Sequence, residues 1–511
     1  MAVETYFWWT ESQKKLAEEL EKFVNKNVDD AERAYWSKEY PEAVMKRVGE
    51  KGLMGVGVPK EYGGSELGAT GCCIVAEQLG RLPGVGNLFV IAMLAGLHQL
   101  INFGTEEQKR KWLPQIAEGK KLGTICITEP FVGSDASNIN TTADFVDGHW
   151  VINGKKRMVS AAGIACRYLV YARTKRDDSD VNYTDITAFM VEKGTPGFHV
   201  EKLNVLVGYD NIPNGYLDFD NVVVEDANRI GNVGSGWEIM MSGLNFERLV
   251  AAAVVCGGMM DAIRYILHHT DRRVQFEKKI SEFSNIQFDI AEYVGKLNMI
   301  RLYTYYTAAE LDRDSKIRMD KTSIAKLYST EWATQLGLRG IQVMGGDGLT
   351  KFYPVERLLR ESKIGEVVAG TNEIQRSIIY RMAIGNRKFY KYPFRMHMDP
   401  EKNIPIQTSK DSEYKGVEIN AENILKVLAN DFRCNPALYM SISDIVSATG
   451  GKRKDILRVC EELEQEGLIF TFGGKRGTID LVKANYKGLD KAFPKEFYRW
   501  IPEGYDETKI F

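Results

Sequence analysis

The stretch ADFVDGHWVINGKKRMVSAAG (residues 143–163) alternates apolar and polar side chains over most of its length. Three shorter runs of the same kind follow, YLVYARTK (168–175), ITAFMVEK (186–193) and GYLDFDNVVV (215–224). Because successive side chains of a strand point to opposite faces, this alternation is typical of β-structure, and the Gly, Asn and Asp residues between the runs are typical of turns. The sequence therefore predicts a middle domain with an antiparallel sheet over residues 123–232.

Helical patterns lie on both sides of this sheet. On the N-terminal side, SQKKLAEELEKFV (12–24) has apolar residues three and four positions apart. On the C-terminal side, LVAAAVVCGGMM (249–260) is small and apolar, which is typical of a buried, closely packed helix. We therefore expect an N-terminal helical domain over residues 1–122 and a helical bundle over residues 233–385.

The last quarter of the chain has a different texture. Residues 386–420 lack periodicity and contain three prolines, so they are interpreted as a linker. In residues 421–511, three short helical patterns precede two strand patterns separated by GGKR. This order predicts a winged helix, a variant of the helix-turn-helix. The fold class predicted for the whole chain is α+β, with this small domain added at the end.

Composition excludes several classes of protein. The 511 residues are 27% charged and 44% hydrophobic, with a net charge of −2, which excludes a disordered chain and a strongly basic nucleic-acid binder. The seven cysteines are scattered without a CxxC pair, so we expect free thiols in a reducing compartment, the cytoplasm, and no metal site. The apolar stretches fall short of the roughly 20 residues of a membrane helix, and no targeting peptide is expected.

Three segments together match one known family. CITEPFVGSDAS (126–137), RRVQFEKKISEFSNIQF (272–288) and residues 343–385, which contain VVAGTNEIQR, resemble the signatures of the acyl-CoA dehydrogenase family. The resemblance covers about residues 5–385 and implies the same helical, β and helical domains. It also implies FAD as cofactor and the removal of a proton from Cα and a hydride from Cβ of an acyl-CoA substrate, the hydride passing to the flavin.

The resemblance assigns FAD contacts to residues in all three segments and at the end of the stretch quoted first. They are Thr128, Ser134, Ser160, Arg273, Gln275, Phe276, Gln342, Gly345, Gly346, Thr371 and Gln375. Arg273, Phe276 and Gln342 match positions that serve the cofactor of a neighbouring subunit, so a homotetramer is expected. Two positions depart from the family, because Met158 replaces its usual Trp and Ala161 its usual Asn, and we expect the flavin to be covered differently there.

The catalytic base is expected at an unusual place. Most members carry a Glu directly before the Gly-Thr of the last signature, where this chain has Ala369. The stretch LNFERLVAAA (244–253) instead places Glu247 in the pattern that isovaleryl-CoA dehydrogenases use for the base. In an apolar pocket its carboxylate would have a raised pKa; the alternative is a surface ion pair with Arg248.

The resemblance also implies contacts with the substrate. It assigns them to Ser134, Asn245, Arg248, Ala369 and Gly370. The backbone N–H of Ala369 would donate to the thioester carbonyl, and this donor does not depend on the missing Glu side chain. Val368 and Ala369 leave space at the wall of the acyl pocket, so a short or branched acyl-CoA is expected, with an electron-transferring flavoprotein as the acceptor.

Three other functions stay open at this point. The same scaffold could act as an enoyl-CoA reductase or as a flavin oxidase. The third is a flavoprotein whose C-terminal domain binds DNA through a basic set of residues, namely Lys452, Arg453, Lys454, Lys475 and Arg476. From residue 401 onward, however, 17 basic residues stand against 18 acidic ones. Because DNA-binding modules are clearly basic, we favour a protein-docking role for this domain over binding of nucleic acid.

Overall fold

The chain forms two compact units, Met1–Gly385 and Asn386–Phe511. A computed structural model describes residues 5–94, 96–174, 185–314, 318–385, 396–399, 404–407, 414–434, 439–473 and 478–493. The first unit contains all the residues assigned to chemistry by the sequence. Each unit has its own hydrophobic core.

Helices build the first part of unit 1. They are α1 (Glu11–Ser37), α2 (Glu42–Glu50), α3 (Gly68–Leu79), α4 (Val85–Leu94), α5 (Leu97–Phe103) and α6 (Glu106–Ala117). Two of them begin with a capping box, in which a threonine hydroxyl accepts from the backbone N–H three residues on and a glutamine side chain accepts in return. Thr10 and Gln13 form this box in α1, and Thr105 and Gln108 form it in α6.

An eight-stranded sheet follows. Its strands are β1 (Gly123–Cys126), β2 (Thr142–Val146), β3 (His149–Ser160), β4 (Arg167–Arg173), β5 (Ile186–Glu192), β6 (Phe198–Asn204), β7 (Asn214–Glu225) and β8 (Arg229–Ile230). The order is β6-β7-β3-β2-β4-β5-β8, with β1 beside β4. Most neighbours are antiparallel as the sequence predicts, but β1 and β2 both pair with β4 in parallel. Long connections separate these strands, and a parallel pair needs such a crossover rather than a tight turn.

The second helical part completes unit 1. It contains α7 (Gly236–Thr270), α8 (Ser284–Asp314), α9 (Met319–Met344), α10 (Pro354–Val367) and α11 (Asn372–Gly385), with a hairpin of β9 (Val274–Gln275) and β10 (Lys278–Lys279) after α7. The small residues of α7 let it approach α3 closely, because a Cβ on Gly257 would lie 1.9 Å from the carbonyl oxygen of Glu77. The predicted burial of this helix is confirmed, with Leu249 and Ala253 fully buried.

Two apolar stretches are longer than the sequence analysis expected. Val85–Phe103 and Gly236–Thr270 are long and apolar enough to cross a membrane by length and composition alone. Most of both stretches is buried inside the fold, and the buried core helix of a protein in water passes the same test. These segments are therefore weak evidence for a membrane span.

Unit 2 contains more regular structure than the sequence predicts. Its elements are β11 (Met396–Asp399), β12 (Ile404–Gln407), α12 (Ala421–Cys434), β13 (Met440–Ser441), α13 (Ile442–Thr449), α14 (Arg453–Gln465), β14 (Ile469–Gly473), β15 (Ile479–Ala484) and α15 (Tyr486–Ala492). The linker prediction is wrong where β11 and β12 pair as an antiparallel ribbon. Pro405 obscured this ribbon, although proline is tolerated in a strand at a sheet edge.

The three helices and the hairpin predicted for unit 2 are present. The short strand β13 joins the hairpin to give the sheet order β13-β15-β14. The basic start of α14 is exposed at Lys452, Arg453 and Lys454, while the acidic side chains Glu461 and Glu462 are exposed further along the helix. The predicted basic residues Lys475 and Arg476 lie outside the described residues.

Candidate active site

Glu247 lies in the middle of α7, among buried neighbours. Its side chain is half-buried, whereas Phe246 and Leu249 are buried. Among the residues that the structure describes, no donor binds its carboxylate and no cation pairs with it. Burial raises the pKa of Glu247 to about 7, although Arg248 and Lys326 act in the opposite direction. A carboxylate in this state can accept a proton near neutral pH.

Arg248, beside Glu247 in the sequence, is bound to other groups. It is 3% exposed, and its Nη1 donates to Oδ1 of Asn245 at 2.7 Å. Its Nε donates to the carbonyl oxygen of Ala369 at 3.0 Å. The alternative of a Glu247–Arg248 surface ion pair is therefore not what the structure shows. Arg248 and Asn245 support the turn that contains Ala369, and their contact with a substrate stays a prediction.

The turn between α10 and α11 has an uncommon backbone. Ala369 has φ +56° and Gly370 has φ +85°, both in the left-handed region. Buried donors hold its two carbonyl oxygens: Arg248 binds that of Ala369, Lys326 binds that of Gly370 at 3.0 Å, and the amide of Gln375 donates to both, at 3.2 and 2.8 Å. Within the described parts of the chain, the N–H groups of Ala369 and Gly370 have no acceptor. The turn thus presents two N–H donors that have no acceptor among the described residues.

Lys326 is a member of this site that the sequence interpretation missed. The side chain lies on α9, is 2% exposed, and its Nζ donates to the carbonyl oxygens of Glu366 and Gly370 and to Oδ1 of Asn372, at 3.0, 3.0 and 2.8 Å. A sequence signal did exist. Lys326 stands four residues from both Thr322 and Thr330, on a face of α9 that is otherwise small and uncharged.

The residues matched to the flavin ring lie on the loop after β1 and at the end of β3. Thr128 and Ser160 are half-buried, and Ser134 is exposed on the loop that follows Thr128. The backbone N–H of Arg157 donates to the carbonyl oxygen of Thr128 at 2.8 Å, which holds the loop beside the end of β3. Met158 is 42% exposed in the left-handed region at φ +57°. The structure thus brings the loop and the end of β3 together, with Met158 presented to the surface.

A buried ion pair supports this loop. Nζ of Lys156 donates to Oε1 of Glu129 at 2.8 Å, and both side chains are almost completely buried. Glu129 also accepts from the backbone N–H groups of Asn140 and Thr141. Burial alone would raise the pKa of Glu129, but Lys156 and the hydrogen bonds lower it. The acidic residue of the TEP motif is therefore structural.

Six other matched residues are exposed in the single chain. Arg273, Gln275 and Phe276 lie on the β9–β10 hairpin, and Phe276 is 87% exposed at its turn. Gln342 is exposed at the end of α9, and a Cβ on either Gly345 or Gly346 would meet no atom within 4 Å. The backbone at these glycines is accessible to a large ligand.

Two other matched residues belong to the turn after α10. The hydroxyl of Thr371 accepts from the backbone N–H of Ile374 at 3.4 Å, at the start of α11. Gln375 is fully buried, and its Oε1 has no hydrogen-bond partner among the described residues. The contacts predicted between these side chains and FAD stay predictions.

Family models match this architecture in consecutive order. The N-terminal domain of acyl-CoA dehydrogenase matches residues 10–120, the middle domain matches residues 124–222, and the C-terminal domain matches residues 234–384. The chain belongs to the acyl-CoA dehydrogenase family. The three matches cover unit 1 and confirm both the family and the fold class that the sequence predicted.

Individual relatives agree with this assignment. Isovaleryl-CoA dehydrogenase of Solanum tuberosum is 35% identical over 384 residues, which are 74% of this chain and 92% of that one. The solved structure of butyryl-CoA dehydrogenase from Megasphaera elsdenii covers 74% of this chain and all of that one, with 28% identity and a TM-score of 0.71. A chain from work on an electron transferring flavoprotein of Acidaminococcus fermentans has 30% identity, the same coverages and the same TM-score.

Membership settles the class of reaction and the cofactor. Acyl-CoA dehydrogenases are FAD-dependent oxidoreductases that act on the CH–CH bond of acyl-CoA substrates, so the predictions of an enzyme and of FAD are confirmed at that level. The residues present fit the cofactor. The open glycines at Gly345 and Gly346, the exposed guanidinium of Arg273 and the hydroxyl of Ser160 offer the approach, charge and small donors that a dinucleotide and its ring require.

Proposed function

We propose that this acyl-CoA dehydrogenase oxidises short or branched acyl-CoA substrates with Glu247 as the base. The observation that carries the proposal is the half-buried Glu247 carboxylate, which has no partner among the described residues and a pKa raised to about 7. The side chains that bind the Ala369–Gly370 turn, Arg248 and Lys326, are also the cations that act on Glu247. A base and two unused N–H donors therefore share one site.

The roles of the chain's residues follow from this arrangement. The Ala369 N–H donates to the thioester carbonyl and stabilises the negative charge that develops there when Cα loses its proton. Glu247 accepts that proton, which its raised pKa makes favourable near pH 7. FAD, when bound, accepts the hydride from Cβ.

A glutamine side chain on α5 limits the depth of the proposed acyl pocket. Gln99 is fully buried, and its Nε2 would lie 1.9 Å from a Cβ on Gly243. Gly243 is one turn before Glu247 on the same face of α7. The Gln99 side chain thus fills the space over this face one turn from the base, which leaves room for a short or branched acyl chain.

Exposed apolar side chains support a homotetramer. On the hairpin, α8 and α9, the residues Phe276, Phe288, Met299 and Leu338 are each more than half exposed. Monomeric proteins rarely expose so much apolar surface, so this surface is proposed to contact other copies of the chain. The predicted positions at Arg273 and Gln342 would then reach the FAD of a neighbouring subunit.

The proposed acceptor rests on a similar solved chain, and the proposed compartment rests on the cysteines. An electron-transferring flavoprotein is proposed to reoxidise the flavin, since a similar solved chain comes from work on such a protein. The six cysteines whose side chains the structure describes are free thiols, which suits a reducing compartment. The cytoplasm is therefore proposed as the location.

Unit 2 is proposed to be a winged helix that docks another protein. Its helices and three-stranded sheet have the order of that fold, β13-β15-β14 being the sheet. Its basic residues are partly neutralised, since Arg458 pairs with Glu462 and Lys491 pairs with Glu466. If this unit bound duplex DNA instead, the full chain would bind a specific sequence in the nanomolar range rather than at a non-specific ~10⁻⁴–10⁻⁶ M.

An anaerobic titration tests the proposed activity. FAD-loaded protein is mixed with butyryl-CoA, isobutyryl-CoA, isovaleryl-CoA, octanoyl-CoA and palmitoyl-CoA, and the loss of flavin absorbance is followed. The proposal expects bleaching by the short and branched substrates, with octanoyl-CoA and palmitoyl-CoA reacting at least about tenfold more slowly. Bleaching by none of the five, or preference for palmitoyl-CoA, would contradict it.

A further inference from the structure

The turn that carries the oxyanion donor is not a conformation that its sequence prefers. Ala369 is an L-residue with φ +56°, a backbone conformation that is strained for any residue with a Cβ. Such a backbone persists only where its surroundings hold it in place. The cause is therefore to be found among the groups that bind Ala369 and Gly370.

Both sides of Ala369 are fixed by hydrogen bonds. On the N-terminal side, the N–H of Val368 donates to the carbonyl oxygen of Ile364 at 3.0 Å and ends α10. On the C-terminal side, buried donors bind the carbonyl oxygens of Ala369 and Gly370. The Ala369 N–H donates no hydrogen bond within the described residues. Its direction is therefore set by the peptide groups on both sides of it.

Lys326 has a particular place among these donors because it joins both sides of the turn. Its Nζ binds the carbonyl oxygen of Glu366 in the last turn of α10, that of Gly370 after the turn, and Oδ1 of Asn372 at the start of α11. An ammonium group has three N–H donors, and here each has one oxygen acceptor within 3.0 Å. A neutral amine has two N–H donors and would lose one of these bonds.

We propose that Lys326 is a positioning residue for the reaction, which holds the Ala369–Gly370 turn so that the Ala369 N–H points at the thioester carbonyl. This inference rests on the proposed function. Lys326 contacts no reacting atom in this account, because all three of its donors are used within the turn and the adjacent helix ends. Its effect is transmitted through the backbone.

The test compares the effect of each variant on two ligands of similar length, of which only one has the thioester carbonyl. Crotonyl-CoA has the thioester carbonyl, whereas S-butyl-CoA is a thioether of similar length without it. Affinities of the FAD-loaded protein for both are measured by titration, for the wild type and for Lys326→Met, which removes all three donors at similar volume. The matched control is Lys321→Met on the same helix, where the ion pair is with Glu310 and not with the turn.

The inference expects a selective loss. Lys326→Met should weaken crotonyl-CoA binding about tenfold with S-butyl-CoA changed by less than about twofold, and should lower kcat more than it raises KM. Lys321→Met should change neither affinity. Equal weakening of both ligands would show a general structural role, and unchanged affinities would show no role; either result overturns the inference.

A second variant tests the inference if Lys326→Met does not fold. If Lys326→Met fails to keep FAD or the native Tm, Asn372→Ala removes one of the three acceptors and leaves the lysine in place, with an expected loss of about threefold for crotonyl-CoA alone. Failure of the proposed function looks different, because the wild type would then bind both CoA ligands equally or neither of them.

Discussion

Two groups of site residues behave differently in the single chain. Glu247, Arg248 and the Ala369–Gly370 turn are assembled by buried contacts within unit 1. Arg273 and Phe276 on the β9–β10 hairpin are exposed. We propose that the chain builds its proton-transfer site alone, whereas the hairpin acts only when a cofactor and a second subunit contact it.

Outside the proposed base itself, the largest effect is expected at the hairpin. Arg273→Ala should weaken FAD retention by about ten- to hundredfold, because a charge-assisted bond to a phosphate contributes about 1.5–3 kcal/mol. The same variant should shift assembly toward smaller species in light scattering. Arg272→Ala is the matched control, since Arg272 follows α7 and contacts His268 at the end of that helix. A monomer that still holds FAD tightly would show that the hairpin serves no neighbouring subunit.

The assembled site should show its own pH dependence. The folded pKa of Glu247 is raised to about 7, so the carboxylate is protonated below that pH and cannot act as a base. We expect kcat/KM for flavin reduction to fall about tenfold for each pH unit below about 7. Stopped-flow rates between pH 5.5 and 8.5 test this. A rate that stays constant down to pH 5.5 would contradict a base with this pKa.

A smaller effect is expected at the wall of the acyl pocket. Gln99→Ala should raise the rate with octanoyl-CoA relative to butyryl-CoA by about tenfold, because removing the side chain opens space one turn from Glu247. Asn102→Ala, an exposed position on the same helix α5, is the control and should leave the ratio unchanged. An unchanged ratio in the Gln99 variant would place the end of the pocket elsewhere.

The smallest effect is expected from removing unit 2. A chain that ends at Gly385 should keep FAD and reduce it within about twofold of the full-length rate, because the residues assigned to the chemistry lie in unit 1. The rate is measured with the same acyl-CoA panel. Loss of turnover would mean that unit 2 contributes to the active site, in addition to the Glu247 site and the β9–β10 hairpin.

Much of the fold follows from the sequence for simple physical reasons. The period-two runs from residue 143 to 224 form strands, and the small residues of α7 are buried as expected. The parallel pairing of β1 with β4 was missed because strand direction depends on the path of long connections, which periodicity does not contain. The β11–β12 ribbon was missed because Pro405 is a turn signal by itself.

A sequence motif could point to a single candidate residue of the site. Contacts between side chains from distant elements could not be predicted from the sequence. The LNFERL pattern pointed to Glu247, but nothing local shows that Arg248 binds the Ala369 carbonyl oxygen 121 residues later in the chain. Lys326 was missed for the same reason, since a lysine on a helix is usually solvated. Only the folded chain shows that its three acceptors come from α10, α11 and the turn between them.

We propose that Glu247, and no carboxylate at residue 369, removes the Cα proton. The most direct measurement is the anaerobic rate of flavin reduction by a saturating short-chain acyl-CoA in Glu247→Gln, with FAD content checked by absorbance. Glu238→Gln, an exposed position in the first turn of the same helix, is the control. We expect Glu247→Gln to retain FAD and to reduce it at a rate at least ~10²–10⁴-fold below that of the wild type. Reduction at a rate near that of the wild type would show that Glu247 is not the base.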